Sequence, residues 1–281
     1  MFLTTLVDTK TLASHVGDPG FVIVDCRFNL DDTSLGEREY HTGHIPGAAY
    51  VSLDRDLSGP KTSTSGRHPL PDPAELRETF SRLGISDGVQ VVAYDQDTGA
   101  YASRFWWMLR WMGHDAVAVL DGGLAKWIAE KRPITSGDEI HARREFGGAP
   151  RSGWVMTVDD VARIVGDPKW KLVDARAPER FSGAKETIDK AAGHIPGALN
   201  YFFKSNLDEH GVIRSPEEIR TQVRDAVGAT PPDRIVAYCG SGVTACQNLL
   251  AFEHAGIHGA KLYPGSWSEW SSDPARKIEK S

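Results

Sequence analysis

The sequence predicts an α/β protein of two similar domains, each a mostly parallel β-sheet flanked by helices. The main observation is an internal repeat, because the motif GHIPGA occurs at residues 43–48 and again at 193–198. Within each copy, short apolar runs alternate with helical patterns, as expected for strands that pair in parallel. The length of 281 residues suits two ordinary domains, and each copy is far longer than a solenoid repeat.

The segment 131–153 predicts the boundary between the two copies. It shows no apolar periodicity and is rich in glycine, proline and charge. We therefore expect a first domain at 1–135, a surface linker at 136–152 and a second domain at 153–281.

The predicted strands are short, β-branched and followed by Asp, Gly or Cys, as is typical of buried parallel strands. They are 21–25, 90–94, 116–120, 171–174, 234–238 and 260–263. Two helix starts carry a cap, a first-turn proline and an acid in the first turn, at Asp72-Pro73-Ala74-Glu75 and Ser215-Pro216-Glu217-Glu218.

Composition excludes several classes of function. The net charge of −6 gives no reason to expect nucleic acid. No apolar run approaches the ~20 residues of a membrane helix, and the start MFLTTLVDTK lacks the features of a signal peptide. Cys26, Cys239 and Cys246 are too widely spaced for a disulfide framework or a zinc site. We expect a cytoplasmic protein with no metal, cofactor, membrane or nucleic-acid partner.

The chemistry is expected at Cys239, which follows the apolar strand ending at Tyr238 and precedes a helix. Ligand sites of open α/β sheets lie at the carboxyl ends of strands. Gly240 and Gly242 allow a tight loop with positive φ angles, which turns N–H groups inward at the positive end of the helix dipole. A cysteine there is expected to be a nucleophilic thiolate open to solvent.

The loop residues that follow the cysteine are candidate donor-binding residues: Gly240, Ser241, Gly242, Val243 and Thr244. The alternative is that Cys239 is a small buried core residue, but a core cysteine needs no glycines before a helix. Cys246 lies about two helical turns further on and is interpreted as packed. Cys26 is interpreted in the same way.

The stretch Cys-Gly-Ser-Gly-Val-Thr at 239–244 resembles the active-site loop of the 3-mercaptopyruvate sulfurtransferases, the tandem-domain branch of the rhodanese family. The likeness covers nearly the whole chain, including both GHIPGA motifs and the segments 102–110 and 265–270. It implies that Cys239 takes sulfur from 3-mercaptopyruvate as a persulfide and releases pyruvate. The acceptor would be a thiol, such as that of thioredoxin, or cyanide.

The resemblance also implies which arginine binds the donor. By its place before an aromatic residue, Arg180 matches the family's substrate arginine, and a guanidinium can pair with a carboxylate through two bonds. Arg176 is a second candidate, or it ties down loops. Similar enzymes often carry a further arginine after the first, but segment 182–190 has none. Lys185 and Lys190 are the candidate replacements, and the sequence does not choose between them.

The first domain lacks the nucleophile, because Asp95 aligns with the cysteine. We therefore expect a non-catalytic domain. His44 of the first GHIPGA motif is a candidate site residue, because family proposals place this histidine near the cysteine. The alternative is a structural role like that expected of His194. The tripeptide Arg67-His68-Pro69 receives no assignment.

Three other functions are weighed. A thiosulfate sulfurtransferase typically carries Cys-Arg-Lys-Gly-Val-Thr, so Gly240 and Ser241 favour mercaptopyruvate. A persulfide carrier that serves a partner remains open. A phosphatase loop needs arginine where this chain has Ala245, which argues against phosphoryl transfer.

Overall fold

Neither structural unit is one continuous stretch of sequence. The computed structural model describes residues 2–281. Unit 1 comprises the chain up to Gly59 together with Pro71–Arg151 and Glu209–Val212. Unit 2 comprises Pro60–Leu70, Ser152–Asp208 and Ile213–Ser281. The main difference from the expected domains is segment 60–70, which lies in the first repeat by sequence and in unit 2 by structure.

The segment 136–152 was expected as a surface linker, and most of its residues are exposed, but it is assigned to unit 1 up to Arg151 and a few of its side chains anchor it there. Phe146 is buried and its ring meets that of Phe80 edge to face, with centroids 5.1 Å apart. His141 bonds two backbone carbonyls, those of Leu83 and Gly47, at 2.9 and 2.8 Å. Apolar and hydrogen-bonding side chains therefore tie this segment to the unit.

The strands of unit 1 form one parallel sheet in the order β1-β5-β4-β2-β3, with helices between them. The elements in chain order are β1 (Leu6–Val7), α1 (Thr9–Ala13), β2 (Phe21–Asp25), α2 (Leu35–Thr42), β3 (Ala48–Tyr50), α3 (Pro73–Arg82), β4 (Gln90–Tyr94), α4 (Ala100–Trp111), β5 (Val117–Leu120) and α5 (Gly123–Ala129).

Unit 2 repeats this plan with a smaller parallel sheet in the order β7-β6-β8-β9. Its elements are α6 (Val158–Ile164), β6 (Lys171–Asp174), α7 (Pro178–Ser182), β7 (Leu199–Asn200), α8 (Pro216–Val227), β8 (Ile235–Tyr238), α9 (Thr244–His254), β9 (Lys261–Leu262) and α10 (Ser266–Trp270), with 3₁₀ turns at Phe203–Asn206 and Pro232–Arg234. The predicted α/β fold is confirmed.

The six expected strands are present to within a residue or two of their expected bounds. The expected helix starts are also correct, because Asp72 and Ser215 each form a capping box at the start of α3 and α8. The sequence did not predict β1, β3 and β7. Each has three residues or fewer, too few for a periodic pattern.

Candidate active site

Cys239 lies where the sequence predicts it, immediately after β8, and the loop 239–243 leads directly into α9. Its Sγ accepts a hydrogen bond from the N–H of Gly242 at 3.1 Å. Its own N–H donates to Ser266 Oγ at 3.1 Å, and its carbonyl accepts from the N–H of Trp267 at 2.9 Å. The loop is thus fixed against the start of α10 on one side and folds its amide toward the sulfur on the other.

The two loop glycines are needed for different reasons. Gly242 has a φ of +77°, and a Cβ there would lie 2.5 Å from the carbonyl oxygen of Pro264. Gly240 was expected to have a positive φ as well, but it does not. A Cβ on Gly240 would instead lie 2.7 Å from Nη2 of Arg67. Gly240 therefore makes space for a guanidinium group.

The residue supporting the loop from α10 is itself in an unusual conformation. Ser266 has a φ of +56° and is fully buried. Its Oγ accepts from Cys239 and donates to the carbonyl of Tyr263 at 2.9 Å. Strained backbone of this kind is found where the surroundings hold a functional geometry.

The sequence led us to expect an open thiol, but Cys239 is only 2% exposed. The segment 60–70 contributes to this cover. A Cβ on Gly66 would lie 2.6 Å from the carbonyl oxygen of Gly265, and the N–H of Arg67 donates to Ser268 Oγ at 3.0 Å. The thiol is therefore shielded from solvent in this structure.

The sequence left His68 unassigned, yet the structure places it at the loop. Its Nδ1 lies 2.8 Å from Ser241 Oγ, and both residues are buried. A histidine can move a proton near neutral pH. The residue types of Arg67-His68-Pro69 could have pointed to this role, because a cation and a titratable ring stand side by side in a loop with no evident structural function. What the sequence could not supply was its contact with a residue 173 positions away.

Arg180 lies in α7 and is held by two carboxylates. Its Nε and Nη2 donate to Glu186 at 2.9 to 3.2 Å, and Nη2 also donates to Asp189 at 3.0 Å. Its Nη1 lies 3.6 Å from the position that a Cβ of Gly240 would take. Its Nη2, which makes these bonds, lies 3.7 Å from the same position, so the end of the guanidinium lies beside the loop while the carboxylates hold it in place.

The structure favours neither lysine as replacement for a second arginine. Lys185 and Lys190 are exposed, and no side-chain ion pair is found for either among the described residues. Arg67 instead forms an ion pair with Asp189 through its Nη1. Its Nε is buried and has no hydrogen-bond partner within the described part of the chain.

The two carboxylates differ in protonation behaviour. Burial raises the pKa of Asp189, and the nearby Glu186 carboxylate adds to this, while Arg67 and Arg180 lower it. Burial also opposes ionisation of Glu186, but hydrogen bonds from Arg180 and from the backbone of Ile188 and Asp189 hold its pKa below the usual value.

Arg176 is used to hold the fold together. It is 3% exposed, forms a two-bond pair with Asp174 and donates to the carbonyl of Gly193 at 2.7 Å. Arg27 makes the matching contacts with Asp25 and Gly43 in unit 1, where Asp95 takes the place of Cys239. The same network in a unit without a nucleophile supports the loop-tying interpretation of Arg176 over donor binding.

His44 also has a structural environment. It is completely buried in unit 1, where its Nδ1 bonds the carbonyl of Tyr40 at 2.8 Å and its ring stacks on that of Tyr40 with the centroids 4.1 Å apart. Its backbone pairs with Thr135. His194 repeats the pattern in unit 2, stacked on Phe181. The twin geometry favours the structural alternative for His44.

Asp95 shows how unit 1 uses the equivalent loop. Its two carboxylate oxygens accept four backbone N–H groups, those of Asp97, Gly99, Tyr101 and Ala102, at 2.8 to 3.3 Å. Burial nevertheless raises the pKa of Asp95 to about 6, while these hydrogen bonds lower it. The loop of unit 1 is therefore an anion cradle filled by its own side chain.

The remaining candidates are packed. Val243 is buried, and Thr244 begins α9. The thiol of Cys246 is buried and donates to the carbonyl of Gly242 at 3.3 Å. Burial, together with the charges of Asp25 and Asp95, raises the pKa of the Cys26 thiol. Within residues 2–281 no helix is both long and apolar enough to cross a membrane.

Comparison with known proteins identifies the family of the chain. The rhodanese-like domain model matches residues 8–130 and 157–273. A probable 3-mercaptopyruvate sulfurtransferase of Pseudomonas aeruginosa is 44% identical over 275 residues, covering 97% of both chains. A putative thiosulfate sulfurtransferase, SseB of Mycobacterium tuberculosis, is 39% identical over 97% of this chain and 96% of its own.

A solved structure matches over the same extent. The 3-mercaptopyruvate sulfurtransferase SseA from Escherichia coli is 32% identical, with a TM-score of 0.81, covering 95% of this chain and all of that one. The family model thus matches twice, once in each sequence repeat, and these relatives span nearly the full length of the chain. The chain therefore belongs to the rhodanese-like family, as a tandem-domain sulfurtransferase.

Proposed function

We propose that the protein transfers sulfur from 3-mercaptopyruvate to a thiol or cyanide through a persulfide on Cys239. The observation that carries this proposal is the Cys239 loop, in which Sγ accepts the Gly242 N–H while the guanidinium of Arg180 lies beside Gly240. An anion bound by Arg180 would thus lie next to the nucleophile. The names of relatives such as the Pseudomonas protein agree with this donor.

In the first half-reaction the Cys239 thiolate attacks the thiol sulfur of the donor. An S–S bond forms, the C–S bond breaks, and its electron pair passes to C3 of the donor as a pyruvate enolate. One proton must then reach C3, and pyruvate leaves. The amide of Gly242 stabilises the sulfur anion at Cys239 before attack and after sulfur is passed on.

Ser241 and His68 are suited to handle the charge on the enolate. When Nδ1 of His68 carries a proton, it donates to Ser241 Oγ, which leaves the hydroxyl hydrogen free for the donor's carbonyl oxygen. A hydrogen bond at that oxygen stabilises the negative charge that develops there. His68 thus acts through Ser241 as a positioning residue.

In the second half-reaction an acceptor attacks the outer sulfur. A thiolate or cyanide forms a bond to that sulfur, the S–S bond breaks, and its electron pair returns to Cys239 as thiolate. The two half-reactions give ping-pong kinetics. A free, unpaired cysteine suits a reducing compartment, and we propose a cytoplasmic location.

Thiosulfate is the second candidate donor, because the Mycobacterium relative is named for it. Gly240 and Ser241 add no positive charge to the loop, which favours a singly charged donor over the thiosulfate dianion. The ratio of kcat/KM for the two donors decides between them. A carrier protein would instead hold persulfide as purified and release negligible pyruvate.

The test is intact mass spectrometry after mixing the reduced protein with 3-mercaptopyruvate. We expect a gain of one sulfur on the peptide that contains Cys239, together with an equal amount of pyruvate. Cys239→Ser is the control and should gain nothing. Sulfur on another residue, or no pyruvate, would contradict the proposal.

A further inference from the structure

We propose that Arg67 is the second arginine of the donor site and that Asp189 sets its preference for a singly charged donor. This inference rests on the proposed function, because it concerns how the donor's anionic group is held. Its basis is geometric: segment 60–70 belongs to unit 2 and brings Arg67 to the cysteine loop.

Two guanidinium groups converge on Gly240. The position of a Cβ on this glycine would lie 2.7 Å from Nη2 of Arg67 and 3.6 Å from Nη1 of Arg180. Among the described residues neither of these nitrogens has a hydrogen-bond partner, so both keep their donors for a ligand. Gly240 directly follows Cys239, so an anion held by both groups lies beside the nucleophile.

Asp189 holds the two arginines in this arrangement. One of its oxygens pairs with Nη1 of Arg67, and the other accepts from Nη2 of Arg180 at 3.0 Å. Its side chain is only 5% exposed, while those of Arg67 and Arg180 are 26% and 19% exposed, so these partly buried ion pairs are screened by salt less than surface pairs are. Each arginine thus pairs with Asp189 and also has a terminal nitrogen beside Gly240 that makes no such pair: Nη2 of Arg67 and Nη1 of Arg180.

The backbone around Arg67 is also fixed. Its N–H bonds Ser268 Oγ, and the next residue, His68, bonds Ser241 Oγ. Gly66 packs so closely on the Gly265 carbonyl that a Cβ would not fit. The guanidinium is therefore presented by a segment anchored on both sides, as a binding residue requires.

The charges of the cluster balance. Its guanidinium groups and carboxylates are equal in number and are joined by ion pairs: Arg67, Arg176, Arg180, Asp174, Glu186 and Asp189. A neutral cluster attracts a second negative charge less than a cluster with surplus positive charge does. It therefore fits the single carboxylate of a keto acid better than a dianion.

The test measures donor binding separately from sulfur transfer. In a Cys239→Ser background, which cannot form the persulfide, calorimetry gives the Kd of 3-mercaptopyruvate and of thiosulfate. We compare Arg67→Gln, Asp189→Asn and the control Lys190→Gln, which removes a positive charge from the residue next to Asp189. The same substitutions in the wild-type background give kcat and KM for both donors.

Arg67→Gln should weaken the binding of both donors by about 10- to 100-fold, as expected for a lost charge-assisted contact. The binding of thiosulfate should be weakened more than that of 3-mercaptopyruvate. The effect should fall on KM more than on kcat, and Arg67→Lys should restore part of the binding. Asp189→Asn should shift the ratio of affinities toward thiosulfate, by about 5-fold or more. Lys190→Gln should change neither Kd.

Arg67→Gln and Asp189→Asn should shift the ratio of the two donor affinities in opposite directions. This distinguishes a binding role from a structural one, because simple damage to the loop would weaken the binding of both donors in both variants. If Arg67→Gln leaves both Kd values unchanged, or if the two variants shift the donor ratio in the same direction, the inference is overturned. A failure of the proposed function looks different: the wild-type protein would transfer no sulfur, whatever the binding data show.

Discussion

The loops Asp95–Gly99 and Cys239–Val243 have the same length and the same place in the fold, but their first side chains use them differently. Each follows a central strand, β4 or β8, and each leads directly into a helix. In unit 1 the carboxylate accepts four N–H groups. In unit 2 the described contacts give Cys239 Sγ one amide, that of Gly242.

The difference shows that the backbone N–H groups of the loop form the cradle, whereas the first side chain of the loop determines how the cradle is used. A carboxylate has two oxygens on a longer stem and occupies the inward-facing donors of the loop. A cysteine side chain places a single sulfur in the loop, and this sulfur accepts the Gly242 amide. Arg67 and Arg180 then add positive charge beside Gly240 in unit 2.

The largest expected effect comes from giving the second loop the side chain of the first. Cys239→Asp should reduce sulfur transfer to background, a loss of more than ~10³-fold, because a carboxylate cannot carry sulfur. If the cradles are equivalent, the free energy of unfolding should change by less than about 2 kcal/mol. Activity assays and urea unfolding measure both quantities.

A matched control for this variant is Cys26→Ala, which removes a buried thiol from unit 1 and should keep sulfur transfer. An unfolded Cys239→Asp protein would show that the loop of unit 2 cannot accept a carboxylate, and the equivalence of the two cradles would then be wrong.

The next effect concerns a residue pair found in unit 2. His68→Gln should lower kcat with 3-mercaptopyruvate by about 10²-fold, because the Ser241 hydroxyl loses its proton partner. KM should change less, since His68 is not expected to contact the donor carboxylate.

Stopped-flow release of pyruvate measures this rate in one turnover. The variant His258→Gln, which alters an exposed histidine paired with Glu253, is the control and should behave like wild type. An unchanged single-turnover rate in His68→Gln would remove His68 from the reaction.

A smaller effect tests the filled cradle of unit 1 through pH. The folded state raises the pKa of Asp95 from 3.8 to about 6 because the residue is buried. Between these values the folded protein holds more protons than the unfolded chain. The free energy of unfolding should therefore fall as pH rises from about 4 to 6, by up to about 3 kcal/mol from this residue.

Asp95→Asn removes the titrating group. The difference in the free energy of unfolding, variant minus wild type, should therefore increase as pH rises over the same range. Urea unfolding at a series of pH values measures the difference. Asp87→Asn, which alters an exposed carboxylate outside this loop, should run parallel to wild type. Parallel curves for Asp95→Asn would show that Asp95 does not titrate as its burial requires.

The smallest effect compares the caps of two equivalent helices. Asp72→Ala and Ser215→Ala each remove a capping box, at α3 of unit 1 and α8 of unit 2. Each should lower the free energy of unfolding by about 1 kcal/mol. Ser34→Ala is the control, because Ser34 makes no side-chain cap bond to α2. If removing one of the two capping boxes leaves the free energy of unfolding unchanged, the two equivalent helix starts do not contribute equally to stability.

Much of the fold followed from local patterns. The central strands and the starts of α3 and α8 were correct because apolar runs and capping residues act over a few neighbouring positions. The edge strands β1, β3 and β7 were missed because two or three residues carry no pattern. The repeat itself held unused information, since Asp25-Cys26-Arg27 and Asp174-Ala175-Arg176 already point to a shared structural arginine.

The sequence by itself determined the two-domain α/β plan, pointed to Cys239 as the proposed nucleophile and showed Asp95 at the equivalent position, because each of these features lies in a short contiguous segment. Only the tertiary structure brought Arg67 and His68 to Gly240 and Ser241. It also showed that Gly240 is needed for space and not for a positive φ. The physical reason is that segment 60–70 meets its partners more than a hundred residues away, and such contacts leave no trace in local periodicity.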